Sequence, residues 1–461
     1  MDARRLTVTL VDGTRVVVPD SLELITPYVL QEQHDWFEDE IRFVRVLLEP
    51  GDRALDIGAN YGVYTLSMAH AVGPAGHVWA FEPASHPADF LELSIAENGF
   101  PNVTLDRRAV SNAPGTAQLA VQARSELNAL VRGDAAATAS ETVRLTSLDE
   151  CLEMYAWDDI GFVKIDAEGE EANIVAGGRR FFDALSPLVQ YEVKAGADLH
   201  FELAETFAAS GYGSYRLVPA LNLLVPFDGR DADPDLLNLF ACKPDRATAL
   251  AARGLLVRTA PSPSDREACL REVRERFPRS AADALVRLVS ASARESHALE
   301  EALALHALSR DRDADPSVRL CALEMALQAL TRLCEHRPTA LRRSSAARAA
   351  FDLGAMRLAV DHLSAIVQRL TEVGQIDGRE PFLAPSLRFE AVERRGSLRD
   401  WLLAAALDTL GRSCAYSSFF DAEGEHARLA LVDRLGYADD EVQRRLTLLQ
   451  RRAAAREAAA G

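Results

Sequence analysis

The stretch Leu55-Asp56-Ile57-Gly58-Ala59-Asn60-Tyr61-Gly62 joins a short apolar run to a segment with helical periodicity. Gly58 and Gly62 allow a sharp turn and a close approach of the backbone to a bound molecule. A helix opening there begins with N–H groups that lack intrahelical acceptors, which suits an anionic group such as a carboxylate. Asp56 could hold an ammonium beside it, directly or through water. Glu82 follows 26 residues later, closing the apolar run Val78-Trp79-Ala80-Phe81. An acid at such a strand end can accept bonds from both hydroxyls of a ribose.

An amino acid at one end and a nucleoside at the other describe S-adenosylmethionine. A nicotinamide dinucleotide fits less well. Its fingerprint needs a glycine two residues after the first, where the pyrophosphate lies close, and here that position is Asn60. Glycine turns and strand-end acids each occur in many α/β proteins without a ligand. It is the two together, in this order and at this spacing, that point to the methyl donor.

Two further acids end apolar runs, Asp166 after Phe162–Ile165 and Glu192 within Leu188–Val193. Methyl transfer from a sulfonium is an in-line displacement, so positioning supplies much of the rate. A hydroxyl acceptor also has to lose a proton, and a carboxylate can take it. Asp166 is the first candidate for that base and Glu192 the second. With Glu168 they could instead hold a divalent cation, which is not expected. Asp166 could equally cap the helix that follows, and Glu170 and Glu171 read as acids favouring a positive helix end. His34, His86 and His200 are read as surface or packing residues. Trp36, Phe37 and Tyr61 are read as core, with a substrate wall as the alternative.

The elements that would carry these residues follow a rhythm. Apolar runs at Ala54–Ile57, His77–Phe81, Val103–Leu105, Phe162–Ile165 and Leu188–Val193 alternate with helical segments, which predicts a parallel sheet with right-handed crossovers. Tyr215–Val225 and Leu237–Cys242 have no long helix between them and read as an antiparallel hairpin at the sheet edge. Before them, Leu6 to Val18 alternates around Asp12-Gly13, a hairpin signal, and a helix is expected from about His34 to Leu48. The fold class is therefore α/β: a Rossmann-like methyltransferase sheet, mostly parallel with an antiparallel edge, followed by an all-α domain. Beyond Asp265 the chain is rich in Ala, Leu and Arg. Helical periods run over Ser317–Glu335, Ala340–Leu353, Met356–Thr371 and Leu398–Leu410, with an ordered loop or linker after Gly374. The expected division is 1–35 as a hairpin extension, 36–246 as the methyltransferase domain, 247–264 as a linker and 265–461 as a helical domain. Around Ser345 to Leu370 the latter resembles a tetratricopeptide-type hairpin, although no regular 34-residue period recurs.

The sequence resembles the FkbM family of methyltransferases. The resemblance is carried by Asp56-Ile57-Gly58-Ala59-Asn60-Tyr61-Gly62-Val63-Tyr64-Thr65, Phe81-Glu82-Pro83, Ala109-Val110-Ser111, Val163-Lys164-Ile165-Asp166-Ala167-Glu168-Gly169-Glu170-Glu171 and Gln190-Tyr191-Glu192. It covers about Trp36 to Pro244, and the K-x-D-x-E-G-x-E pattern is its most specific part. The resemblance implies S-adenosyl-L-methionine as cofactor and methylation of a hydroxyl on a saccharide, glycan precursor or related natural product. By the same resemblance Ser111 joins Asp56, Gly58, Asn60, Gly62 and Glu82 as a cofactor-binding residue. Methylation of a peptide or amine nitrogen, and a catalytically silent scaffold with this fold, stay open as alternatives.

Composition sets the frame. A chain of 461 residues exceeds one ordinary core, and 48% hydrophobic with 26% charged residues excludes a disordered or fibrous class. A formal charge of −18 disfavours nucleic acid and anionic membranes as partners. Six scattered cysteines without a CxxC pair argue against zinc or a disulfide framework and for a reducing, cytoplasmic setting. No run is long enough to span a bilayer, and no apolar signal core follows Met1. The helical domain is expected to serve recognition of a large acceptor or self-association into a homo-oligomer.

Overall fold

The computed structural model describes residues 4–120, 129–130, 140–195, 198–230, 232–276 and 291–460. These form two compact units, one of Met1–Arg216 with Pro226–Arg253 and one of Leu217–Val225 with Gly254–Gly461.

The first unit is built on a sheet of eight strands: β1 (Arg53–Ile57), β2 (His77–Phe81), β3 (Val103–Asp106), β4 (Phe162–Ile165), β5 (Leu188–Glu192), β6 (Gly213–Val218), β7 (Asn238–Cys242) and, between the last two in sequence, the edge strand Leu223–Pro226. From the edge strand Leu223–Pro226 inward, the order across the sheet is β6-β7-β5-β4-β1-β2-β3. The strands β1 to β5 run parallel. β7 enters antiparallel between β5 and β6. The expected closing pair is thus antiparallel, with the later strand inserted and the earlier one outside it. The parallel strands are buried on both faces, which is why they read as unbroken apolar runs rather than alternating ones. Their side chains meet those of the covering helices in one core that includes Leu55, Phe81, Val163, Ile165, Phe181 and Tyr191.

Chain order reverses between β1 and β4, so the carboxyl ends of β1, β2, β4 and β5 lie along one edge, on both sides of the switch point. That topology brings Asp56, Glu82, Asp166 and Glu192 to one side of the sheet.

The N-terminal hairpin (Arg5–Thr9 with Arg15–Pro19) is part of this unit rather than an appendage. Val16, Val17 and Val18 are buried, and the Val17 N–H donates to Ser94 Oγ at 2.8 Å. Arg45, in the helix Asp39–Leu47, pairs with both Asp35 oxygens at 2.7 and 2.8 Å and with Asp12 at 2.8 Å. A second sheet was not foreseen: Ala109–Val110, Gly115–Ala120, Ala129–Leu130 and Ser140–Thr146 form a four-stranded group between β3 and β4. Gly115–Ala120 is largely exposed and carries no apolar alternation to announce it.

The second unit is helical, its long helices being Ala291–Ser309, Pro316–His336, Ala340–Leu353, Met356–Glu372, Leu398–Ala415, Ala422–Arg434 and Asp440–Ala460. Each packs mainly on its neighbours in sequence. The punctuation read from the sequence has physical counterparts. Asp315 caps Pro316–His336 with proline at its first turn, and Gly354 closes Ala340–Leu353 at φ +82°. The expected linker 247–264 holds most of the helix Pro244–Ala252. The run Tyr215–Val225, expected at the sheet edge, does lie there, in β6 and the edge strand Leu223–Pro226. Val218, Leu221, Leu223 and Val225 are also buried in one cluster with Leu299, Leu320, Leu323 and Leu330. Trp401 is core, packed edge-on against Phe382 and Phe389, whereas Phe420 is exposed. Five cysteines are buried and free, and the side chain of Cys414 lies outside the described residues.

Candidate active site

The turn after β1 is shaped first by the protein's own backbone. At Gly58, with φ +82°, an added Cβ would stand 1.7 Å from the Asp166 carbonyl oxygen. That glycine is required for β1 to pass β4, before any ligand is considered. The Gly58 and Ala59 N–H groups both bond the Phe81 carbonyl at 3.0 Å. Gly62, at φ +86°, precedes the helix Val63–Val72, and a Cβ there would press on Leu91 at 2.2 Å. No side chain among the described residues caps that helix, so its first N–H groups face outward from the turn.

Glu82 is 7% exposed and accepts one backbone N–H on each oxygen, from Asn60 at 2.7 Å and from Ala84 at 2.8 Å. These bonds aim the carboxyl at the turn, and burial pushes its pKa up to about 7. Asn60 contributes its backbone, held at φ +49°. Asp56 is 1% exposed: Oδ2 accepts from Thr65 at 2.5 Å, while Oδ1 is buried with no hydrogen-bond partner among the described residues. Burial raises its pKa.

Asp166 is half-buried, and its Oδ2 accepts from Lys164 Nζ at 2.7 Å. Lys164, 4% exposed, pairs in register with Asp56 on one side and Gln190 on the other, and its ammonium lies 4.8 Å from the centre of the Tyr64 ring. Burial pulls the lysine down, yet Asp166, Asp56 and Glu38 outweigh it and keep it charged well above neutrality. Tyr64 donates to Glu38 at 2.7 Å and accepts from Gln190 at 3.2 Å, and Asn238 donates to Glu38 at 3.3 Å. Burial, then Asp166, lifts Glu38 despite the nearby lysine. Glu192 ends β5 with an exposed residue surface and, among the described residues, neither hydrogen bond nor ion pair. Crowding by packed groups, then by Asp166, Glu168 and Glu38, pushes its carboxyl up to about 8. Four carboxyl groups, those of Asp166, Asp56, Glu38 and Glu192, thus interact with one ammonium.

Sequence reasoning placed Asp56, Glu82, Asp166 and Glu192 on this edge but missed Lys164, Gln190, Glu38, Tyr64 and Asn238. The first two had a signal, since a polar residue inside a buried parallel strand demands a partner. Glu38 had none; tertiary packing brings it in. Ser111 is 2% exposed, and its hydroxyl donates to Glu170 at 2.5 Å instead of standing open for a ligand. Glu171 accepts from Ala167 and Gly169 N–H groups, closing its own turn. His86 packs against Phe90, His200 lies exposed beside Glu202, and Tyr61 is core. Among the described residues no group of three or more His, Cys, Asp or Glu is placed to share a metal ion. Nor is any described helix long and apolar enough to cross a membrane.

Residues 56–213 match the methyltransferase FkbM domain family. This stretch is an FkbM methyltransferase domain. It is 31% identical over 70 residues to a demethylmenaquinone methyltransferase of Anoxybacillus flavithermus, a match spanning 15% of this chain and 29% of that protein's length. Solved structures similar to the chain include the FkbM methyltransferase of Methylobacillus flagellatus, at 15% identity over 41% of this chain and 43% of that one, TM-score 0.29. Another is a Streptococcus mutans protein in complex with SAH, at 11% identity over 44% of this chain and 95% of that one, TM-score 0.27.

Proposed function

We propose that the protein is an S-adenosylmethionine-dependent O-methyltransferase acting on a hydroxyl of a saccharide or related natural product. The single observation that carries the reading is the row of acids at adjacent strand ends inside an FkbM domain: Glu82, Asp56, Asp166 and Glu192. Glu82 would bind the ribose hydroxyls with the lone pairs its two backbone bonds leave free. The uncapped helix Val63–Val72 would take the methionine carboxylate. Asp56, the partnerless Oδ1 above all, would face the ammonium directly or through water.

For proton removal the geometry favours Glu192 over Asp166. The Asp166 carboxylate is already engaged by Lys164 and would orient the acceptor hydroxyl, whereas Glu192 has no such partner. A base whose pKa stands near the working pH combines availability with driving force. The methyl donor brings an electrophilic sulfonium; the chain's part is to hold acceptor oxygen and methyl in line and to take the proton. Isothermal titration with S-adenosylmethionine and its demethylated product tests the donor site. A native protein that binds neither would end this reading. Comparing glycans from cells with and without the gene for a difference of one methylene tests the acceptor class.

A further inference from the structure

Within the helical unit a cleft of about 630 Å³ opens between the start of Ala340–Leu353, the end of Met356–Glu372 and the segment that follows it. Its floor is a built ion-pair network. Arg342, 2% exposed, donates to Glu380 at 2.6 and 3.1 Å and to Glu295 at 3.0 Å, and Thr339 donates to Glu380 at 3.0 Å. Glu380 is thereby engaged, and Asp377 is held by Arg379 at 2.6 Å. On the rim stand Arg337 and Arg369, both exposed, and neither forms an ion pair among the described residues. Four guanidinium groups thus face three carboxylates in the lining, in a chain whose formal charge is −18. Thr339 Oγ1 caps only the Arg342 N–H, so the N–H groups of Ala340 and Leu341, which also line the cleft, lack intrahelical acceptors. Arg337 acts at longer range on Asp377, but two exposed guanidiniums outside any ion pair among the described residues, beside a positive helix end, form a trap for an oxyanion, and the volume suits a small ligand.

We propose that this cleft binds a small organic oxyanion, a molecule presenting a carboxylate or a phosphate ester, independently of the methyl-donor site. Arg337 and Arg369 grip the oxyanion from the rim, the turn Ala340–Leu341 donates backbone N–H groups, and Arg342 holds the floor in shape. The inference does not rest on the methyltransferase reading.

The test is calorimetric titration of the full chain with glucuronate, glucose 1-phosphate and inorganic phosphate, with glucose as the neutral control. At least one charged probe binds and glucose does not; the stronger of glucuronate and glucose 1-phosphate identifies the group recognised. The exposed-site double variant Arg337→Ala/Arg369→Ala keeps the native melting temperature and binds that probe at least tenfold more weakly, and raising salt weakens native binding. Arg337→Lys/Arg369→Lys recovers part of the affinity for phosphate and less for carboxylate, because the bidentate fork is lost. Equal binding of glucose, no binding of any charged probe, or unchanged affinity in the alanine variant would each overturn the proposal.

Discussion

The ammonium of Lys164 sits 2.7 Å from Asp166 and in register with Asp56, so one buried cation serves carboxylates at the ends of two neighbouring strands. Lys164→Met removes the charge and keeps the bulk. Asp56, 1% exposed, then has no cation to offset its burial, and the fold loses about 3 kcal/mol, the scale for breaking a buried pair. Chemical denaturation measures the loss. The same change pushes the remaining carboxyls further up, so any pH-dependent turnover shifts to higher pH. An unaltered stability and pH profile would show Lys164 to be a bystander.

Glu192 supplies the next prediction. With a carboxyl pushed up to about 8, it must lose its proton before it can accept one, so turnover rises with pH through that region. Glu192→Gln abolishes this limb and lowers kcat by about 10²–10⁴, leaving donor affinity nearly intact. Asp166→Asn retains the limb and lowers turnover less, since its part is orientation. A rising limb that survives in Glu192→Gln and vanishes in Asp166→Asn would reverse the two roles.

Glu82 links donor binding to protonation. Glu82→Ala weakens S-adenosylmethionine binding by about 1.5–3 kcal/mol, the worth of charge-assisted bonds to the ribose. The folded-state pKa of about 7 stands above the usual carboxyl value. Its contribution to stability is therefore complete below the unfolded value near 4.5 and lost as pH rises through 7. Thermal melts between pH 4 and 8 should fall less steeply in Glu82→Gln than in the native protein, whatever the variant's absolute stability. Identical slopes would mean that Glu82 does not titrate there.

How far these residues were legible depends on whether local pattern or tertiary packing sets them. The strand-end acids were legible because parallel strands are short apolar runs, and whatever polar residue ends one lies at the sheet's carboxyl edge. Glu38 was not, because its place depends on where the helix Asp39–Leu47 packs, with Phe43 edge-on to Phe240 at 5.3 Å. Ser111 sits beside strand ends in sequence, but its short strand belongs to the smaller sheet, which exposed residues gave no period to reveal. The helical unit was legible element by element from its caps. The run Tyr215–Val225 was legible as the sheet edge, whereas its burial beside Leu299, Leu320 and Leu330 was not, because periodicity does not name the partner of an apolar run.

Two glycines separate backbone need from conformational freedom. Gly58→Ala places a methyl 1.7 Å from the Asp166 carbonyl oxygen, and no side-chain rotation relieves a clash with backbone. It should destabilise by more than about 3 kcal/mol and displace the end of β1, abolishing donor binding. Gly13→Ala, at φ +87° with nothing within 4 Å, carries only the conformational cost of about 1–2 kcal/mol. Melting both variants side by side checks the contrast. A Gly58→Ala protein that melts like Gly13→Ala would mean that the approach of β1 to β4 is looser than described.

The last prediction concerns the division of the chain. Val218, Leu221, Leu223 and Val225 pack in the helical cluster, although Val218 ends β6 and Leu223 and Val225 lie in the edge strand of the sheet. A chain truncated after Arg253 keeps these four residues and removes the helices that bury them. Re-exposing each costs about 1.5–3 kcal/mol, a sum comparable with the 5–15 kcal/mol that holds a whole domain. The truncated chain should therefore aggregate or melt far below the native protein. Removing 217–225 as well, by joining Arg216 to Pro226 through a short glycine-containing turn, takes away the exposed surface together with the edge strand and the end of β6, and leaves β7 and the parallel strands intact. That chain should be soluble and still bind S-adenosylmethionine, because every residue assigned to the donor lies within 56–82. Light scattering and donor titration on the two chains decide the matter. Were the simple truncation monomeric and as stable as the shortened one, Leu217–Val225 would not depend on the helices. Were the shortened chain folded yet unable to bind the donor, the helical unit would have to contribute to donor binding.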